Sequence, residues 1–303
     1  MENYDDLFNG QEPAKQSAER EDRPFDMEEY KNRKRLEREE AFGLIEDTAG
    51  MMQNNGEMFQ TYLDVQARFD RFSVSNALLI TAQIPEARGP FKSFDDWKKE
   101  GIYINKGESG IYIMEPGKEY TRRDGSTGVN YNVKRMFDVS QTRSRTPIEP
   151  AITRDERLLL KSLITDAPCK IAISDQMSDR VNAVYKADEK TIYVRPGMDG
   201  PSIFKALSQE LAHAHMDRKG SYRRSESMAP AYCVSYLLCK RYGIPADTYR
   251  FSPMAEQYSK MSPKEFRAEL SRIRNVAGEI SRDMNRILEA QERGQKNRAN
   301  DAR

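Results

Sequence analysis

The stretch "LSQELAHAHM", Leu207 to Met216, carries a carboxylate and two imidazoles at helical spacing. In the pattern H-E-x-x-H, two histidines four residues apart share a helical face and hold Zn²⁺, while the glutamate polarises the attacking water. Here Gln209 stands at the first histidine position, and only Glu210 and His213 of the pattern remain. The chain has two His, and His215 sits two residues past His213, about 200° further around a helix, so it cannot take the empty place. An amide carbonyl is a poor zinc ligand beside imidazole, and Glu210 has nothing to activate without a metal-bound water. The expectation is a site with neither metal nor catalysis, in which Glu210 and His213 form a hydrogen-bonded pair that fixes the helix on its sheet. The alternative is an unusual zinc site in which Glu226, Asp217 or Tyr232 supports His213. Cys233 and Cys239 lie in the apolar run "YCVSYLLC" with no activating base, which argues against a thiol nucleophile.

The elements that must position these residues follow from composition and punctuation. The chain has 303 residues, 38% hydrophobic and 32% charged, enough for two compact units with polar ends. Forty-nine Lys and Arg against forty-eight Asp and Glu give no global argument for nucleic acid or membrane. Three cysteines, an acidic polar N-terminus and the lack of any long apolar run point to the cytoplasm and to no membrane partner.

Residues 1–25 are too polar to fold, and residues 294–303 read as a second disordered tail. Helices are expected at 27–52, 57–71 and 73–83, with a short one behind the N-cap Ser93. The runs 109–116 and 130–139 read as a β-hairpin turning at Asp124-Gly125, with a basic, Tyr-bearing tip. A polar, Pro-containing stretch at 140–151 divides a first domain, 26–143, from a second, 152–293. The second should hold a helix at 153–165, the strand "KIAISD", a hairpin turning at 187–189, and the Gln209 helix. Another helix should have Pro230 in its first turn and stop at Gly243, and a final one should run from 263 to about 293. That last helix carries Phe266, Leu270, Ile273, Ala277, Ile280, Met284 and Ile287 as a core stripe.

The blocks Ser73, Asn76, Leu78 to Ile80, Gln83 and Pro85, then Trp97, Lys98 and Gly101, then Lys106 to Glu108, Gly110 and Ile111, and finally "FDVSQT" resemble the N-terminal domain of ArdC-type antirestriction proteins. "IFKALSQELAHAHM" and "PAYCVSYLLCKRYGI" look like the metallopeptidase-like domain that follows it. The resemblance implies an α+β protein: a helical N-terminal domain with a small β-hairpin sheet that binds single-stranded DNA, then a zincin-like domain of helix, small twisted sheet, active-site-type helix and C-terminal helices. It also implies a mobile-element or conjugative setting and a role in protecting entering DNA from restriction. Aligned on Tyr236 and Cys239, it puts Pro230 and Tyr232 at the family's acidic positions, so the third-ligand place is Tyr232. Hence no cofactor is expected, zinc entering only if the degenerate site, with His213 and Glu226, still binds it.

Single strands are held by cations along the phosphates and aromatic faces under the bases. The candidates are Arg88, Lys92, Lys98, Tyr103, Lys106, Tyr120, Arg122, Arg123, Lys134 and Arg135. Arg122 and Arg123 fit a solvated turn as well as a phosphate contact. Trp97 reads as core rather than as a stacking platform. Ile102 and Asn105 stand where the family commonly has basic residues, which removes two cationic contacts. The expected function is antirestriction-like single-stranded DNA binding, with the second domain as scaffold or as a surface for a restriction, nuclease or other defence protein. The rivals are an active zinc peptidase that cleaves a regulator, and a protein-interaction scaffold without DNA binding.

Overall fold

Local capping sets the first elements. In the computed structural model the described residues are 26–121, 124–144, 155–218, 220 and 222–301, so the expected N-terminal tail and Arg122 and Arg123 lie outside them. Contacts divide the chain into residues 1–37, whose described part is the beginning of helix α1 (Met27–Gln53), and residues 38–303. Asn55 caps α2 (Gly56–Arg68) by accepting from the amides of Glu57 and Met58, and Ser73 caps α3 (Val74–Gln83). Gly56 is required by close approach, because a β-carbon there would stand 2.7 Å from the backbone nitrogen of Ser252. Ser93 caps the short α4 (Phe94–Lys99).

The first sheet has strand order β1-β3-β2, all antiparallel: β1 (Phe91–Lys92), β3 (Thr127–Asp138) and β2 (Ile111–Thr121). In the hairpin Ile111 lies opposite Met136 and Thr121 opposite Thr127, with an irregularity between Pro116 and Glu119. β2 is an edge strand, and an open edge presents unpaired amides and carbonyls. Here α3 supplies the missing partner through two side chains. Asn76 donates to Met114 O and accepts from Met114 N, both at 2.8 Å. Two turns further along the same helical face, Gln83 accepts from Tyr112 N at 2.8 Å and donates to Tyr112 O at 3.3 Å. Two amides seven residues apart thus imitate a strand along the buried end of β2.

At the other end of the sheet Asp138, fully buried, accepts from the amides of Arg88 and Gly89 and from Ser140. Gln141 accepts from Asp138 N and donates to Ser109 O and Glu108. Trp97 is 2% exposed, and its indole N–H donates to Phe137 O at 2.9 Å, which makes it core.

The rest of the chain builds α5 (Glu156–Thr165) and a second sheet. In it β4 (Lys170–Ile173) pairs in parallel with β6 (Thr191–Val194), and β6 pairs antiparallel with β5 (Ala183–Lys186). α6 (Gly200–Asp217) starts at the cap Asp199 and packs on both β5 and α7 (Arg224–Tyr242). Contrary to expectation, Pro230 lies inside α7, whose first turns begin six residues earlier. Those turns are held by tertiary bonds, Arg224 to Glu210 and Arg272 to Ser227 Oγ, which outweigh the amide bond that a proline cannot make. Gly243 ends α7 in the left-handed region, as its place in the sequence suggests.

After α8 (Ser252–Tyr258), α9 runs from Pro263 to Asp301. Its backbone passes the expected end near Arg293 and continues through the segment expected to be a tail, whose Gln, Lys, Arg and Ala tolerate helix. The buried stripe is Phe266, Leu270, Ile273, Ala277, Ile280 and Met284 as expected, but it closes on Leu288 rather than Ile287. The α+β class stands, and one hydrophobic core extends from Ala41 to Leu288. Phe59 of α2 meets the rings of Phe251, Tyr258 and Phe266 within 5.4–6.2 Å, and Gln53 of α1 donates to Tyr258 O and Met261 O. Among the described residues no helix is long and apolar enough to cross a membrane.

The edge cap gives a direct test. Asn76→Ala leaves a buried amide and a buried carbonyl of Met114 unpaired, at a cost of about 2–4 kcal/mol in unfolding free energy. Denaturant titration should show that loss, and Asn76→Asp, which cannot donate, should lose a similar amount. A change below about 0.5 kcal/mol for both would mean that the strand edge does not need α3.

Candidate functional site

The Gln209-Glu210-x-x-His213 turn lies in the middle of α6, between the second sheet and α7. Glu210 is 3% exposed and meets three donors. The amide of Tyr185 on β5 donates to Oε2 at 2.6 Å, and the Arg224 guanidinium donates from two nitrogens, at 2.8 Å to Oε1 and 2.9 Å to Oε2. The fork-on-fork geometry ties α6, β5 and α7 at one carboxylate. This ion pair raises the Arg224 pKa above its ordinary value.

His213 is completely buried and does not pair with Glu210. Its Nδ1 lies 3.0 Å from the Tyr222 hydroxyl, and its Nε2 has no hydrogen-bond partner among the described residues. Burial pushes its pKa down to about 3, with the nearby charges of Arg224 and Arg272 adding to the shift, so the imidazole is neutral. His215 points elsewhere, its Nδ1 3.2 Å from Glu279. Its pKa is also lowered by burial, with Glu279 opposing the shift.

The residues do not fit a metal. Among the described residues His213 Nε2 is left without a partner, and Gln209 offers no imidazole beside it. The carboxylates weighed as replacements are committed elsewhere. Glu226 is exposed and paired with Arg223, while Asp217 accepts from Lys190 and from the Tyr185 hydroxyl. The Tyr232 hydroxyl accepts from Arg250 N. Among the described residues no three His, Cys, Asp or Glu side chains converge. Arg224 adds a fixed cation at the same carboxylate that would face a metal-bound water. Gln209, Glu210, Arg224 and Tyr232 instead share the wall of a cleft of about 400 Å³ with Arg180 and Lys205. Burial raises the pKa of Cys239 to about 11 and that of the fully buried Cys233 further still, so neither is a thiolate.

The nucleic-acid candidates separate into two groups. Lys92 pairs with Glu100 at 2.5 Å and lies over Trp97, and Lys134 pairs with Glu115 at 2.5 Å. Arg135 donates to Gly110 O and to the Tyr112 hydroxyl and stacks on that ring, so all three serve the fold. By contrast Arg88, Lys98 and Lys106 are exposed, and their side chains enter no ion pair among the described residues. Tyr103 is 65% exposed and Tyr120 44%, the latter lying over Gly128. Tyr131, 43% exposed, and Phe94, 54% exposed, add aromatic surface that the sequence reading missed; Tyr131 shares its strand face with the buried Val133, so alternation gave no signal for it.

The two histidines predict acid sensitivity. Their folded pKa values lie below the ordinary 6.5, so below that pH the unfolded chain binds protons that the folded chain refuses. Stability should be complete above about pH 7 and fall as pH drops toward 3, by at most about 1.4 kcal/mol per pH unit for each histidine. Denaturation midpoints between pH 7 and 5 read this window above the carboxylates. A flat profile there, or an unchanged slope in His213→Gln, would contradict the assignment.

Residues 48–146 match the N-terminal domain of anti-restriction factor ArdC. Among solved structures, the antirestriction ArdC protein from the R388 plasmid is similar in its metal-free form, with a TM-score of 0.50 and 14% identity over 70% of this chain and 85% of that one. Its Mn(II)-bound form matches with a TM-score of 0.50 and 15% identity over 69% and 84% of the two chains. At such identity the likeness concerns the fold alone. No curated protein sequence matches the chain. What the chain shares with ArdC is thus an N-terminal domain at residues 48–146, the stretch that holds Asn76, Gln83, Trp97 and Asp138, and, with the R388 protein, a fold.

Proposed function

We propose that this protein acts on single-stranded DNA by binding it, and that its Gln209-Glu210-x-x-His213 region is a zincin-like scaffold without peptidase activity. The observation that carries the reading is the Arg224 clamp on Glu210. A general base must be free to accept a proton from water, and both oxygens of this carboxylate are occupied by a guanidinium and an amide. Support for the DNA arm comes from Lys98, Tyr103 and Lys106, three exposed groups within nine residues that combine charge with an aromatic face. Arg88 and Tyr120 extend the same chemistry. A mobile-element setting and a restriction or nuclease partner belong to this reading by analogy with the family. The orphaned His213 Nε2 favours one second reading, weak binding of a divalent metal by a single imidazole.

A fluorescent oligothymidylate titrated at low and moderate salt, with metal content measured on the same sample, tests both. Binding that weakens steeply with salt, without stoichiometric metal, is the expected result. Lys98→Ala with Lys106→Ala should then weaken binding several-fold. One zinc or manganese per chain together with Glu210-dependent proteolysis would overturn the proposal.

The clamp itself predicts that Arg224→Met loses about 2–3 kcal/mol of stability. This is below the ~3–5 of a fully buried pair, because 40% of the Arg224 side chain is in solvent. Adding Glu210→Gln should recover most of the loss. If the single variant is as stable as the parent in denaturant titration, the ion pair is not structural.

A further inference from the structure

The α9 face opposite the core carries a second cationic surface. It forms the floor of a groove of about 660 Å³, walled by the end of α7 and by the turn between α2 and α3. Six arginines line it, Arg71, Arg241, Arg274, Arg282, Arg286 and Arg293, against the three carboxylates of Asp70, Glu279 and Glu289. Two of the six are paired, Arg241 with Asp70 at 2.6 Å and Arg286 with Asp166 at 2.7 Å. Arg274 is held without any carboxylate among the described residues. It donates to Phe72 O at 2.8 Å, to Arg71 O at 3.3 Å and to the Asn275 side chain at 3.1 Å, so its charge is fixed in place and uncompensated. Arg71 and Arg282 are exposed and make no ion pair among the described residues. Beyond Arg282 a smaller cleft reaches Arg218, and there Glu279 and Asp283 balance the two arginines.

The shape and lining select the ligand. From Arg274 to Arg293 the helix rises about 29 Å, a span of several nucleotides. At Gly278, mid-groove, an added β-carbon would meet nothing within 4 Å, so the floor is open to close approach by a backbone. Among the described residues no aliphatic or aromatic side chain lines the groove. A protein partner needs apolar anchors to bury, whereas a phosphate backbone needs forked cations and nothing apolar.

The geometry points to this groove as a second nucleic-acid site, which holds the phosphates of a single strand through Arg71, Arg274 and Arg282 without reading its bases. It rests on the DNA-binding reading given above and adds a contact in the C-terminal half. Base stacking remains with the exposed tyrosines around β2 and β3, and the groove contributes charge alone.

The test uses the full chain with Arg71→Glu and Arg282→Glu together, two exposed positions whose replacement breaks no ion pair among the described residues. Circular dichroism and the denaturation midpoint should match the parent. Oligothymidylate affinity should fall at least tenfold, and the slope of log Kd against log salt should shrink by about 1.4, the share of two phosphate contacts on a single strand. If the parent binds and the double variant binds equally well with the same slope, the groove is not a site, while Lys98→Ala with Lys106→Ala still reports on the first surface. If the parent binds no oligonucleotide, the DNA reading itself falls and takes the groove with it.

Discussion

An edge strand must find partners for its backbone, and in this protein two side-chain amides supply them. Asn76 and Gln83 pair with both polar groups of Met114 and of Tyr112, which lets β2 run buried beneath α3 without a further strand. Much else follows from that placement. With β2 fixed, β3 is in register, Phe137 O faces the Trp97 indole, and Asp138 gathers the Arg88 to Ser140 turns around one carboxylate. The residues that make the sequence recognisable are therefore mostly the ones that hold the sheet together. Any surface that touches a ligand is built from their less distinctive neighbours.

Around α6 the organising element is a charge pair rather than an amide. Glu210 is buried where an isolated carboxylate would be very costly, and Arg224 and the Tyr185 amide together satisfy it. The same guanidinium acts on His213 from a distance and helps keep it neutral. Helix, sheet and following helix are thus joined at one point, as a bound ion would join them, with the cation drawn from the chain itself.

How much of this was legible in the sequence depends on the range of the interaction. The stop at Gly243, the cap Ser93, the hairpin turn and the burial of Trp97 are local events, and their residue types announce them. The departure from H-E-x-x-H at Gln209 was equally plain. Hidden were the contacts made across space. Arg224 lies fourteen residues beyond Glu210 and behind a loop, and nothing in "SYRRSES" marks which arginine turns inward. For the same reason Lys92, Lys134 and Arg135 looked like free cations and prove to be tied to Glu100, Glu115 and Tyr112. Pro230 misled because propensity was weighed without the tertiary bonds of Arg224 and Arg272. The arginines of the α9 groove come from three separate segments, and periodicity brought out only the apolar stripe behind them.

The Arg224 clamp also sets what a metal would meet at this place. With a histidine at position 209, the new ligand would sit next to a guanidinium that already occupies the carboxylate, and a divalent ion would meet a like charge there. With Arg224 removed instead, Glu210 would be stranded in the core without a cation. Neither change alone yields a metal site, so the pair works as a ratchet: with the cation drawn from the polypeptide, selection on stability alone favours keeping both partners.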